Sequence, residues 1–165
     1  MPFASDSFHV VAGFNSFQYA GNFTNALIEA KRVLKPTGNL VIGIWDQPQF
    51  SESTNILKAI GELLPPPSPG TPGPFALSED GKMESIFEQV GVKLVSKTKI
   101  ACPVLYRNLE EGVNSFMGTG PAAAALNQVS KKTVENKIAS ALQAYKVGEE
   151  SYHLQNSFLL FIAEK

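Results

Sequence analysis

Two short apolar runs with an amphipathic helix between them limit most strongly what this chain can fold into. Phe8–Phe14 (FHVVAGF) is almost wholly apolar and is bounded by Asp6-Ser7 and Asn15-Ser16; Leu40–Trp45 (LVIGIW) is a second run of the same kind. Runs without polar alternation suit strands covered on both faces, as in a parallel sheet. Between them Phe23, Ala26, Leu27, Ala30, Val33 and Leu34 fall on one helical stripe, with Asn22 placed to cap its start. Lys31, Arg32 and Lys35 crowd the far end, where cations suit the helix dipole. Pro36 stops the helix and Thr37-Gly38-Asn39 turns the chain. Strand, helix, strand in this order is a right-handed βαβ unit, so the fold class is α/β.

The rest of the chain supplies the other layers. After Asp46 a second amphipathic helix carries Ile56, Leu57, Ile60, Leu63 and Leu64 on one side. Residues 65–74 (PPPSPGTPGP) forbid regular structure and read either as a stiff surface loop or as the hinge of a lid. Ser78 can cap a helix with an apolar face of Met83, Ile86, Phe87 and Val90, ended by Gly91. Val92 to Leu105 reads as one long strand with Pro103 at an edge. Residues 108–147 read as helical, with starts at Asn108 and Pro121 and a stripe of Val134, Ile138, Ala141, Leu142 and Tyr145. Tyr152 to Ala163 closes the chain as a strand entering the middle of a sheet.

Composition removes several classes of function. Of 165 residues 44% are hydrophobic and 18% charged, and the formal net charge is −1. That fits one domain with its own core and no nucleic-acid or anionic-membrane footprint. The single cysteine, Cys102, can form no internal disulfide, so a reducing, cytoplasmic setting is expected. One Cys and two distant His give no metal pattern, and there is no Gly-x-Ser-x-Gly elbow or phosphate-binding loop.

Specific stretches resemble a known family. Pro2-Phe3-Ala4-Ser5-Asp6-Ser7-Phe8-His9-Val10-Val11 is similar to the segment that leads into the fourth strand of class I S-adenosylmethionine (SAM)-dependent methyltransferases, the broad type 11 group in particular. Ala26 to Ile42 (ALIEAKRVLKPTGNLVI) resembles that family's helix-to-strand segment at nearly every keyed position, and Asn156–Ala163 is similar to its last strand. His9 stands where the family usually has Asp, as a neutral partner for a backbone group or a mark of relaxed function. Thr37 replaces a turn glycine, which any residue with negative φ tolerates.

The resemblance implies the last four strands of a partial Rossmann-like sheet, at residues 8–14, 40–45, 92–105 and 152–163. The first two would be parallel, and 152–163 would lie antiparallel between 40–45 and 92–105. Residues 47–76 and 108–150 would be cap insertions, expected to pack as a helical cap over the carboxyl ends of the first two strands. The family holds its methyl donor mainly on a Gly-rich turn and an acidic residue in the first half of the sheet. Neither lies ahead of Phe8, and Gly118-Thr119-Gly120 reads as a turn. The chain therefore resembles the carboxyl-terminal part of such an enzyme, with weak or no SAM binding expected from residues 1–165 alone.

The resemblance places donor-contacting groups in Phe14-Asn15-Ser16-Phe17-Gln18-Tyr19, at the carboxyl end of a strand. Asn15 and Gln18 would offer amides and Phe14 and Tyr19 would wall the sulfonium, while Phe17 reads as core. No catalytic base is assigned. His9 and His153 have no inferable partner, Glu29 reads as a solvated or capping charge, Asp46 as a turn or cap residue, and Cys102 as a small buried hydrophobe. The stretch lacks the Asn/Asp-Pro-Pro-Tyr pattern of nucleic-acid amino-methylating enzymes, so the resemblance favours a small-molecule acceptor. Two functions stay open: a SAM-dependent methyltransferase on a small acceptor, or a non-catalytic module that dimerises or binds a partner. A homodimer is expected, because Phe8–Phe14 would be an uncharged apolar edge that invites a second chain.

Overall fold

In the computed structural model residues 1–66, 73 and 75–165 are described. The elements, in chain order, are β1 (Phe8–Phe14), α1 (Phe23–Val33), β2 (Leu34–Trp45), α2 (Ser53–Gly61), α3 (Lys82–Val90), β3 (Lys93–Ala101), β4 (Val104–Tyr106), α4 (Leu109–Met117), α5 (Gly120–Ala125), α6 (Lys131–Leu142), β5 (Lys146–Val147), β6 (Ser151–Leu154) and β7 (Ser157–Glu164). They fall into two compact units, one of residues 1–47, 72–101 and 157–165 and one of residues 48–71 and 102–156.

The first unit is a four-stranded sheet in the order β1-β2-β7-β3. β1 and β2 are parallel, and β7 runs antiparallel between β2 and β3. The expected order is therefore the observed one. Alternation divides the sheet's side chains between two faces. Leu40, Ile42, Ile44, Leu159, Phe161 and Ala163 point to one face, where Leu27 and Ala30 of α1 and Met83, Ile86, Phe87 and Val90 of α3 cover them. The Phe87 and Phe161 rings meet edge to face at 5.9 Å. On the opposite face Val41, Trp45, Phe158, Leu160 and Ile162 are half-buried, and none of them joins that core.

The helices begin and end largely where their sequence predicts. The Asn22 side chain accepts from the Asn25 N–H at 2.9 Å and starts α1. Gly91 ends α3 in the left-handed region with φ 73°. The Lys31 ammonium donates to the Val90 and Gly91 carbonyls at 2.9 and 2.8 Å, so a cation of α1 closes the negative end of α3. Two details differ from expectation. Ser78 caps no helix; its buried hydroxyl donates to the Trp45 carbonyl, and α3 starts at Lys82 after Gly81. Pro36-Thr37-Gly38 does not separate helix from strand, because pairing with β1 already begins at Phe8↔Leu34 and skips to Val10↔Asn39. The turn is absorbed as an irregularity inside β2.

The two long strands predicted at 92–105 and 152–163 are each broken in two. β3 ends at Ala101, and after Cys102-Pro103 the chain enters β4, while Gln155-Asn156 separates β6 from β7. Proline cannot donate to a ladder, and the Asn156 side chain is buried, accepting from the Ser51 hydroxyl at 2.9 Å and the Ser53 N–H at 3.0 Å. β4 and β6 thus belong to the second unit, in a three-stranded antiparallel sheet ordered β4-β6-β5. The core of that unit holds Ile56 and Ile60 of α2 with Val134, Ile138 and Leu142 of α6, all fully buried. Asn108 caps α4 through the Glu111 N–H at 2.8 Å, and Gly118-Thr119-Gly120 is the turn between α4 and α5. The loop-or-hinge reading of 65–74 falls mostly outside the described residues.

Candidate functional site

The carboxyl end of β1 is built by a short succession of backbone requirements. The Asn15 N–H closes the β1–β2 ladder on the Gly43 carbonyl at 2.9 Å. Asn15 itself takes φ +46°, a left-handed conformation that asparagine adopts more readily than most residues. The chain then makes one 3-10 turn over Phe17–Tyr19 before α1. Gly13 makes this path possible. A Cβ there would lie 2.3 Å from the Phe17 ring, which packs against the core and meets Phe23 edge to face at 6.4 Å. Phe17 is thus a core residue, as expected from the sequence.

Of the four site candidates, three come together. The Gln18 amide donates to Asn15 Oδ1 at 3.0 Å, and its buried Oε1 accepts no hydrogen bond among the described residues. Gln18 and Tyr19 line a cleft of about 660 Å³, with Thr24, Lys82, Ser85 and Gln89 among its other walls. Tyr19 is 66% exposed. Asn15 stands behind Gln18 and fixes it. Phe14 is set apart. Its ring lies over Gly43, where a Cβ would come 2.5 Å from Phe14 Cδ1, on the sheet face opposite α1 and α3.

Asp46, at the carboxyl end of β2, is only 3% exposed. Its N–H donates to the Ser157 carbonyl at 3.0 Å, and its Oδ1 accepts from the Gln47 N–H at 2.8 Å. Its Oδ2 forms an ion pair with Lys99 at 2.8 Å. Burial opposes the charge, but the Lys99 ammonium and the Gln47 N–H outweigh it and hold the carboxyl below its usual value. The pair ties the ends of β2 and β3 across β7, which makes Asp46 a structural charge. Lys99 was not legible as its partner, since only the registers Ile44↔Leu159 and Lys99↔Leu159 bring them together.

The other titratable candidates have local partners. His9 Nε2 lies 3.2 Å from the Lys35 ammonium, which has only protons to give, so His9 accepts from a side chain and not from backbone. Glu29 binds Arg32 through both oxygens, at 2.7 and 2.8 Å, and the Met1 amino group at 2.6 Å. Arg32 also donates to the Phe3 carbonyl at 2.8 Å, so the pair fastens the segment before β1 to α1. His153 lies beside Gln155, and Cys102 is half-buried in the bend between β3 and β4, not inside a strand. Among the described residues no cluster of His, Cys, Asp and Glu could hold a metal ion, and no helix is long and apolar enough to cross a membrane.

A family model described as "Methyltransferase domain" matches residues 1–42, the stretch that builds β1, α1 and most of β2. A search of curated proteins finds no match. Among solved structures, the methyltransferase fold of this chain is similar to a candidate methyltransferase from Bacillus halodurans, at 16% identity and TM-score 0.56, covering 100% of this chain and 67% of that one. It is also similar to a candidate type II methyltransferase from Anaeromyxobacter dehalogenans, at 12% identity and TM-score 0.57, covering 98% of this chain and 66% of that one. The [4+2]-cyclase SpnF is similar at 14% identity and TM-score 0.50, covering 100% of this chain and 53% of that one. At these identities the likeness is one of fold. The chain spans between 53% and 67% of the length of these three structures.

Proposed function

We propose that this chain is the carboxyl-side part of a SAM-dependent methyltransferase acting on a small organic acceptor in the cytoplasm. One observation carries the reading: within the stretch the family model matches, Gln18 is held by Asn15 with a buried Oε1 that has no partner among the described residues, on the wall of a cleft. SAM offers the donors such an oxygen lacks, in its ammonium, ribose hydroxyls and adenine amine. When bound, it supplies a methyl group whose carbon–sulfur bond breaks as the bond to the acceptor forms. Gln18 would accept from the donor, Asn15 would hold Gln18 in place, and Tyr19 would shield one side. Phe14 belongs to the neighbourhood only through its chain position. The near-neutral charge and the absence of an Asn/Asp-Pro-Pro-Tyr segment support a small acceptor over a nucleic acid.

Calorimetric titration with S-adenosylhomocysteine tests this. Binding to residues 1–165 should be weaker than micromolar, because two amides supply few of the positioned bonds a tight site needs, and Gln18→Ala should weaken it further. Micromolar binding indifferent to Gln18→Ala would overturn the placement. A non-catalytic module is the second reading, favoured by the half-open apolar sheet face; it predicts no binding of the cofactor product at any concentration.

A further inference from the structure

The cleft beside the end of β1 has a second wall that the donor reading leaves unused. α1 and α3 lie side by side, tied at their carboxyl ends by Lys31, and the cleft of about 660 Å³ takes residues from both. Lys82, Ser85, Ile86 and Gln89 reach it from α3, at a spacing that puts them on one helical stripe. Ala20, Phe23, Ala76 and Leu77 add apolar surface. Apolar walls of this extent with a few polar groups are those of a small-molecule site. No residue of β1 lines the cleft, so its walls do not depend on what lies against that strand.

The charge in the cleft is one-sided. Among the described residues Lys82 is the one charged group on its walls, no Asp or Glu lines it, and Lys82 forms no ion pair. As the first residue of α3 it also opposes that helix's dipole, so helix stability does not explain its place. The carboxylates of α3 point elsewhere: Glu84 is bound by Lys97 at 2.9 Å, and Glu88 lies off the stripe. The amino ends of α1 and α3, at Phe23 and Lys82, add partial positive charge to the same space. We infer, resting on the reading that the donor sits at Gln18, that the acceptor occupies the α3 side of this cleft and carries one carboxylate on an apolar body. Lys82 pairs with the carboxylate, the Ser85 hydroxyl donates to it, and Phe23, Leu77 and Ile86 cover the apolar part. A single ammonium, with no Arg or second Lys beside it, balances a monoanion rather than a phosphate dianion.

Amide NMR of residues 1–165 titrated with phenylacetate tests this, with uncharged phenylacetamide as the control of the same shape. Phenylacetate should shift Lys82, Ser85 and Phe23 and bind about three- to tenfold more tightly than phenylacetamide. Lys82→Met, which keeps the stem, should remove that preference, Lys82→Arg should keep it, and Gln18→Ala should leave it unchanged. Equal binding of the two probes, binding of neither, a preference that survives Lys82→Met, or shifts centred away from α3 would overturn the inference. The same titration in millimolar S-adenosylhomocysteine separates two sources of carboxylate. Phenylacetate binding that persists assigns Lys82 to the acceptor; competitive displacement assigns it to the cofactor's own carboxylate and overturns the inference. No shift from S-adenosylhomocysteine at Gln18, with phenylacetate still bound at Lys82, would instead overturn the donor placement and support the carboxylate site.

Discussion

Glycine at 38 and glycine at 43 look alike in sequence, yet the structure gives them different costs. A Cβ on Gly38 would stand 3.0 Å from two backbone carbonyl oxygens, of His9 and Lys35, and 2.8 Å from a Leu34 methyl. Backbone cannot step aside, so Gly38→Ala should destabilise by about 1–3 kcal/mol in urea unfolding. A Cβ on Gly43 meets only the ring of Phe14, an exposed side chain free to rotate, so Gly43→Ala should cost less than about 1 kcal/mol. Equal costs at the two sites would contradict this packing.

The Glu29–Arg32 contact makes a second prediction at this scale. Arg32, first, and the Met1 ammonium pull the Glu29 carboxyl down from 4.5 to about 2. A depressed folded value means that the contact stabilises above the unfolded value and is lost as pH falls from about 4.5 toward 2. A carboxyl-carbon NMR titration should show that low midpoint in the intact protein. It should return toward the ordinary range in Arg32→Gln.

At the scale of elements, α1 and α3 share the same sheet face and are joined by Lys31, whose ammonium reaches the last carbonyls of α3. Lys31→Met keeps the stem and removes the charge. It should cost about 1 kcal/mol and raise hydrogen exchange in the last turn of α3 more than in α1. Unchanged exchange there would show the contact to be incidental. The elements themselves were mostly legible. Period-3.6 stripes gave α1, α2, α3 and α6, and the apolar runs gave β1 and β2, because each of these signals is local. What local signals could not show is where a strand stops serving one sheet. Val92–Leu105 and Tyr152–Ala163 read as continuous, and the breaks at Cys102-Pro103 and Gln155-Asn156 appear only when the buried Asn156 amide finds Ser51 and Ser53, more than a hundred residues away in sequence.

For the molecule as a whole, the sheet order was legible through family resemblance and not through periodicity, which says nothing of strand neighbours. The division into two units, each with its own sheet and core, was not legible, because the second unit is assembled from residues 48–71 and 102–156. Of the candidate site, Asn15, Gln18 and Tyr19 were named through the family resemblance, which places donor contacts in the segment after this strand. The bond from Gln18 to Asn15 depends on the left-handed Asn15 backbone, which sequence does not disclose. Phe14 was placed with them because it is adjacent, yet strand alternation sends its side chain to the opposite sheet face.

The proposed function puts the methyl donor at the end of β1. Amide NMR of residues 1–165 titrated with S-adenosylhomocysteine to millimolar concentration tests it most directly. Saturating shifts are expected at Asn15, Gln18, Tyr19 and the start of α1, absent in Gln18→Ala, with β3 unmoved. Shifts centred on another element, or the same shifts in Gln18→Ala, would contradict it.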